Sequence, residues 1–145
     1  MNMHFADASF LVSAFINDEN GPAAWRWWSA SDATLTVSRL VLFEAENAMR
    51  CGPFDGRCSH ERSHDALTQL ADALRQGLIV RREISSKRLY PAAQRLSMRH
   101  TGPETYGAMD IIHVAAAQEL RATHFVSFDL AQRRLATTEG MTVCP

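Results

Sequence analysis

Four acidic residues, Asp7, Glu44, Asp110 and Asp129, each close an apolar run that reads as the inner end of a strand or helix. Three follow one pattern: Met3-His4-Phe5-Ala6-Asp7, Gly107-Ala108-Met109-Asp110 leading into Ile111-Ile112-His113-Val114, and His124-Phe125-Val126-Ser127-Phe128-Asp129. In an α/β chain the carboxyl ends of the strands open onto a shared crevice, and ligand sites form there. Carboxylates gathered in such a crevice repel one another and retain protons unless a divalent cation holds them ionised. The chemistry this pattern points to is metal-assisted hydrolysis of a phosphate ester, with the cation making a bound water more acidic and offsetting transition-state charge.

Taken singly, each aspartate also has a structural explanation. Asp7 can cap a helix starting near Ser9, Asp110 can sit in favourable alignment with a helix dipole, and Asp129 with Gln132 matches a capping box. Three independent caps, however, need not converge on one crevice. Glu44 separates from Glu46 by geometry, because helical side chains two apart point about 200° away from each other. Glu44 shares its face with Val37, Val41 and Ala48, whereas Glu46 precedes Arg50 in the favourable i,i+4 order of an exposed ion pair. A carboxylate on an apolar face is costly without a partner, and a divalent cation would supply one.

The elements that must position these groups alternate. Strands are expected at Met3 to Ala6, Thr34 to Ser38, from Leu78 to Val80, His124 to Phe128 and, as an edge, Met141 to Cys144. Helices are expected at Ser9 to Asn17, Pro22 to Ser29, Arg39 to Arg50, Ser59 to Gln76, from Ser85 or Ser86 to about His100, Met109 to Leu120 and Leu130 to Ala136. The near-continuous apolar character of Met109 to Leu120 marks a central, buried helix. Alternation of this kind predicts a single-domain three-layer α/β/α fold over residues 1–145, with a parallel sheet of about five strands.

Composition agrees with an ordinary globular chain: 145 residues, 46% hydrophobic and 21% charged, with a net charge of −1. No apolar run is long enough for a bilayer, and Asp7 interrupts the only early signal-peptide candidate, so no membrane association and a cytoplasmic location are the expectations. Of the 15 basic residues only Lys87 is lysine. The odd set Cys51, Cys58 and Cys144 favours free thiols.

At the acidic residues the chain resembles the PIN-domain nucleases, and among them the small VapC-type toxins of bacterial toxin–antitoxin pairs. The resemblance spans nearly the whole chain. It rests on Phe5-Ala6-Asp7-Ala8-Ser9-Phe10-Leu11-Val12, on Val37-Ser38-Arg39-Leu40-Val41-Leu42-Phe43-Glu44, on Met109-Asp110-Ile111-Ile112-His113 with the three alanines that follow Val114, and on Phe125-Val126-Ser127-Phe128-Asp129. It implies that Asp7, Glu44, Asp110 and Asp129 form the catalytic metal cluster. Ser127 would stand in support two residues before the last aspartate, and Ser9 would also line the pocket. The implied activity is Mg²⁺- or Mn²⁺-dependent cleavage of RNA, with a cognate antitoxin and a homodimer as expected partners. The loop from Cys51 to Cys58 and the histidine-rich helix after it depart from the family pattern.

Competing readings exist. His60-Glu61-Arg62-Ser63-His64 matches a short zinc-protease motif but lacks the H-x-x-G-x-x-H extension, Leu67 and Leu70 occupying that region, and with Cys51 and Cys58 the same histidines could form a structural zinc site. Trp25, Trp27 and Trp28 could contact bases or a partner, although core packing explains at least two of them, and His113 reads as a core histidine rather than a ligand. A dehalogenase-like phosphatase would need a second aspartate where Ser9 stands. A response-regulator receiver would need a late-strand lysine, and the only lysine is Lys87. The non-enzymatic alternative is a PIN-like RNA- or protein-binding module.

Overall fold

A computed structural model describes residues 1–145. Five short strands are present: β1 His4–Ala6, β2 Leu35–Val37, β3 Ile79–Arg81, β4 His124–Val126 and β5 Thr142–Cys144. They form one parallel sheet in the order β3-β2-β1-β4-β5. Because parallel neighbours require crossovers, helices must cover both faces of such a sheet. The chain supplies α1 Ala8–Val12, a π-helical turn Ser13–Asn17, α2 Gly21–Ser31, α3 Arg39–Cys51 and α4 His60–Arg75 before β3. Then come α5 Ser86–His100, α6 Ala108–Glu119 and α7 Leu130–Thr138.

Right-handed crossovers place these helices. From β1 to β2 to β3 the chain steps outward in one direction, so α1 to α4 share a face, and α1 packs on α3 and α3 on α4. From β3 the chain crosses back to β4 and then steps to β5, which puts α5, α6 and α7 on the opposite face, packed α5 on α6 and α6 on α7. The reversal falls between β1 and β4. Their ladder pairs His4 with His124, Phe5 with Phe125 and Ala6 with Val126. Phe5 and Phe125 are fully buried, with ring centroids 5.8 Å apart.

The expected elements appear with the ends adjusted. The strand expected over Thr34 to Ser38 stops at Val37, because the Ser38 hydroxyl accepts the Val41 N–H at 3.1 Å and caps α3. The strand expected to reach Phe128 ends at Val126, beyond which Ser127 and Phe128 turn toward β1. The expected helix from Ser9 to Asn17 divides into an α-helical turn and a π-helical one, the wider winding bringing Asn17 to a left-handed φ of 59°. α6 is buried at Ile111 and from His113 through Ala117, as its composition requires. No helix is long and apolar enough to cross a membrane.

The tryptophans belong mainly to the core. Trp28 is buried and donates its indole N–H to the Ala33 carbonyl at 2.8 Å. Trp27 packs edge-on against Phe10. Trp25, the most exposed of the three, donates to the Ala14 carbonyl and stacks on Trp28.

A candidate acidic active site at the sheet switch point

Asp7 directly follows β1 and occupies the N-cap of α1, where its Oδ1 accepts the Phe10 N–H at 3.1 Å. Capping alone does not account for its surroundings. The Ser9 hydroxyl donates to Asp7 at 2.7 Å, and the Ser127 hydroxyl donates to the other carboxyl oxygen at 2.8 Å. Each hydroxyl also accepts a backbone N–H from beyond β4: Ser9 from Phe128 at 3.0 Å and Ser127 from Asp129 at 2.9 Å. A hydroxyl has one proton to donate. Both protons are committed to Asp7, so the two serines sew the ends of β1 and β4 together around one carboxylate.

That carboxylate is 1% exposed and faces only neutral donors at hydrogen-bond distance. Burial pushes its pKa up to about 6, even though the bonds from Ser9, Ser127 and the Phe10 N–H, and the charge of His113, pull it down. Asp7 is thus a buried acid short of a positive partner.

Asp7, Glu44 and Asp129 line one cleft of about 420 Å³, together with Ser9, Asp18 and Gln132. Glu44 projects from α3 and accepts a 2.9 Å bond from His113 Nε2 on α6, so it bridges helices from opposite faces of the sheet. That bond holds Glu44 below the usual carboxylate range, against the opposing effect of partial burial. His113 is 1% exposed, and its Nδ1 has no partner. Glu46 points elsewhere, pairing at 3.5 Å with Arg50.

Asp129 caps α7 through Gln132 N–H at 2.9 Å, but the expected capping box is not closed. The Asp129 N–H goes instead to Ser127, and the Gln132 side-chain amide donates to Asp110 Oδ1 at 3.0 Å. Asp110, in the first turn of α6, is not part of the cleft lining and is joined to it through Gln132. Its room comes from Gly107, where an added Cβ would lie 3.2 Å from Asp110 Oδ2. Gln132 is buried, and its Oε1 has no hydrogen-bond partner. The reverse amide orientation would set that oxygen against the Asp110 carboxylate, so the orphaned oxygen belongs to the arrangement.

No three His, Cys, Asp or Glu side chains stand close enough together to hold a metal ion without adjustment, either here or among Cys51, Cys58, His60 and His64. The donor chemistry of the cleft nonetheless fits a hard divalent cation. It offers carboxylate oxygens, an orphaned amide oxygen, and a buried acid with no cation at hydrogen-bond distance.

Five polar cleft residues escaped sequence reasoning: Ser13, Asp18, Asn20, Arg57 and Gln132. The π-helical turn brings in Asp18, whose carboxylate accepts the Ser13 hydroxyl at 3.1 Å and the Asn20 N–H at 2.9 Å. Widened turns of this kind recur at functional sites. Gln132 carried a signal, its place three residues after the Asp129 cap, which was read as local capping only.

A parallel sheet with an acidic crevice at its switch point defines the class, and a family model describing the PIN domain matches residues 5–137. The chain belongs to the PIN-domain family. It is similar in structure to VapC20 of Mycobacterium tuberculosis, described as a toxin that cleaves the sarcin–ricin loop: TM-score 0.69, 19% identity, 98% of this chain and 99% of that one covered. VapBC2 of Rickettsia felis, solved on a DNA fragment from its promoter, gives TM-score 0.69 at 14% identity, covering 98% and 97% of the two chains. FitAcB of Neisseria gonorrhoeae gives 0.59 at 12% identity, covering 99% and 97%. No curated protein matches the chain in a sequence search.

Proposed function

We propose that this PIN-domain chain is a metal-dependent endoribonuclease, the toxin of a toxin–antitoxin pair. One observation carries the reading: the switch-point crevice concentrates Asp7, Glu44 and Asp129, with Asp110 tied in through Gln132, around a buried carboxylate that lacks a cation. Asp7, Glu44, Asp110 and Asp129 would hold Mg²⁺ or Mn²⁺. When bound, the ion would supply Lewis acidity toward a phosphodiester and toward the attacking water.

The chain's own groups do the positioning. Ser9 and Ser127 keep Asp7 ionised and aimed by directing both of their protons at it. His113 fixes the rotamer of Glu44, and Gln132 fixes that of Asp110, so that a cation meets oriented oxygens rather than flexible side chains. An antitoxin partner is supported by the similarity to VapBC2 and an RNA substrate by that to VapC20, a toxin that cleaves the sarcin–ricin loop, while a homodimer follows from the resemblance to VapC-type toxins alone.

Purified protein is expected to cleave RNA with Mg²⁺ or Mn²⁺ and not with EDTA, and Asp110→Asn is expected to abolish cleavage while leaving the melting transition cooperative. Cleavage at the native rate by folded Asp110→Asn would reject the assignment. No metal-dependent cleavage by wild type would point to a binding module.

A further inference from the structure

The loop between α3 and α4, residues 52–58, anchors to the core through buried Gly52 and partly buried Cys58, while residues 54–57 are exposed. Its backbone is nevertheless closely bonded. The Arg57 N–H donates to the Gly52 carbonyl at 2.9 Å and to Asp55 Oδ1 at 3.2 Å, and the Phe54 N–H to the Cys51 carbonyl at 2.9 Å. Gly52 is required by this closure, since a Cβ there would lie 2.6 Å from the Cys58 sulfur.

Two side chains of this ordered loop have no structural role to match. Arg57 is the only Lys or Arg lining the acidic cleft. Its one carboxylate partner, Asp55 at 3.6 Å, forms an exposed pair of the kind that contributes little and exchanges readily. Phe54 is 82% exposed, and its only aromatic neighbour is His60, T-shaped to it at 5.3 Å, which leaves most of the ring open to solvent. Three residues of chain keep Phe54 within about 11 Å of Arg57, a span of a nucleotide or two.

A strand of RNA entering a cleft lined by carboxylates is repelled until it meets a cation, and an unpaired base beside it gains by stacking on an open aromatic face. We propose that this loop captures the substrate strand, Arg57 binding a phosphate beside the scissile bond and Phe54 stacking on an unpaired base next to it. The inference rests on the nuclease reading above. A single exposed ring followed by Asp55, Gly56 and Arg57 suits one planar base better than the continuous apolar face that a protein helix needs.

The test combines cleavage kinetics with fluorescence anisotropy of a short unpaired oligoribonucleotide bound to Asp110→Asn protein. Phe54→Ala should weaken binding about tenfold and raise KM with little change in kcat, and Phe54→Trp should restore both while Phe54→Leu does not. Arg57→Ala should lower the slope of log affinity against log salt by about 0.7, the contribution of one phosphate contact on a single strand. Melting midpoints of the variants should match wild type, since both side chains are exposed.

Wild-type cleavage with unchanged KM and binding in Phe54→Ala, or rescue by Leu equal to that by Trp, would overturn the base contact. An unchanged salt slope, or faster cleavage, in Arg57→Ala would overturn the phosphate contact and make Arg57 an internal counter-ion. An inactive wild type would instead fail the nuclease reading itself.

Discussion

Two hydrogen-bonded carboxylates in this molecule, Asp7 buried and Glu139 half-buried, behave in opposite ways. Glu139, which follows α7, is reached by His100 at 2.5 Å, Arg99 at 2.7 Å and Gln118 at 2.8 Å. Burial would raise its pKa, but those hydrogen bonds and the Arg99 charge outweigh it, and Glu139 titrates below the usual carboxylate range. Asp7 is equally well hydrogen-bonded, yet its direct donors are hydroxyls and a backbone amide, and it is pushed up to about 6. The number of hydrogen bonds does not separate the two. What separates them is burial and charge: Asp7 is almost wholly buried among neutral donors, whereas Glu139 is less deeply buried and has the Arg99 cation beside it. Glu139 is a lock joining α5, α6 and the end of α7, whereas Asp7, under the proposed function, is a socket for a cation.

The largest expected effect comes from removing charge at the socket. Asp7→Asn should abolish RNA cleavage and raise stability at pH 8. With a folded pKa near 6 against an ordinary 3.8, the folded state keeps its proton where the unfolded chain has lost it, so stability falls as pH rises through that window. The loss is about 3 kcal/mol, and it should disappear in the variant. Denaturant midpoints from pH 3 to pH 8 give the answer directly, and a wild-type curve flat between about pH 4 and 6 would remove the contrast with Glu139.

A smaller effect of opposite sign is expected at the lock. Glu139→Ala should cost about 1–3 kcal/mol by stranding its partners, with cleavage unchanged. Because the folded pKa of Glu139 is depressed, its contribution is present above the ordinary value of 4.5 and is lost as pH falls through the folded value. Reduced cleavage in Glu139→Ala at temperatures where it is fully folded would mean that the two regions are coupled.

The smallest effect calibrates both. Glu46 is exposed and pairs with Arg50 at 3.5 Å, so Glu46→Ala should change stability by less than about 0.5 kcal/mol and leave cleavage intact. A large change there would show that Glu44 and Glu46 had been assigned to the wrong faces.

Much of the sheet was legible because the apolar runs His4 to Ala6 and His124 to Val126 can pair only in a buried parallel ladder, and because alternation with helices leaves few topologies. Element ends were less legible. Ser38 and Ser127 have the β-compatible character of strand residues, yet their hydroxyls are used for capping and for Asp7, which pattern alone does not reveal. In the cleft, Glu44 could be told from Glu46 because helix periodicity decides between them. The link from His113 to Glu44 was not foreseen, although His113 lies one turn after Asp110, since the partner is on another helix 69 positions away. Asp18 and Arg57 were out of reach for a different reason: a π-helical turn and an aperiodic loop carry no repeat from which a facing direction can be computed.

The bond from Ser127 to Asp7 joins positions 120 residues apart. On a ribosome adding roughly 5–20 residues per second, the amino-terminal half of the crevice therefore waits on the order of ten seconds for its other half. During that interval the growing chain has Asp7 but neither Ser127 nor Asp129. The ordering of the fold thus acts as a delay: under the proposed function, cleavage can begin only after Ser127 and Asp129 have been made and β4 has paired with β1. That delay is written into the sequence distance between the two strands that meet at the switch point.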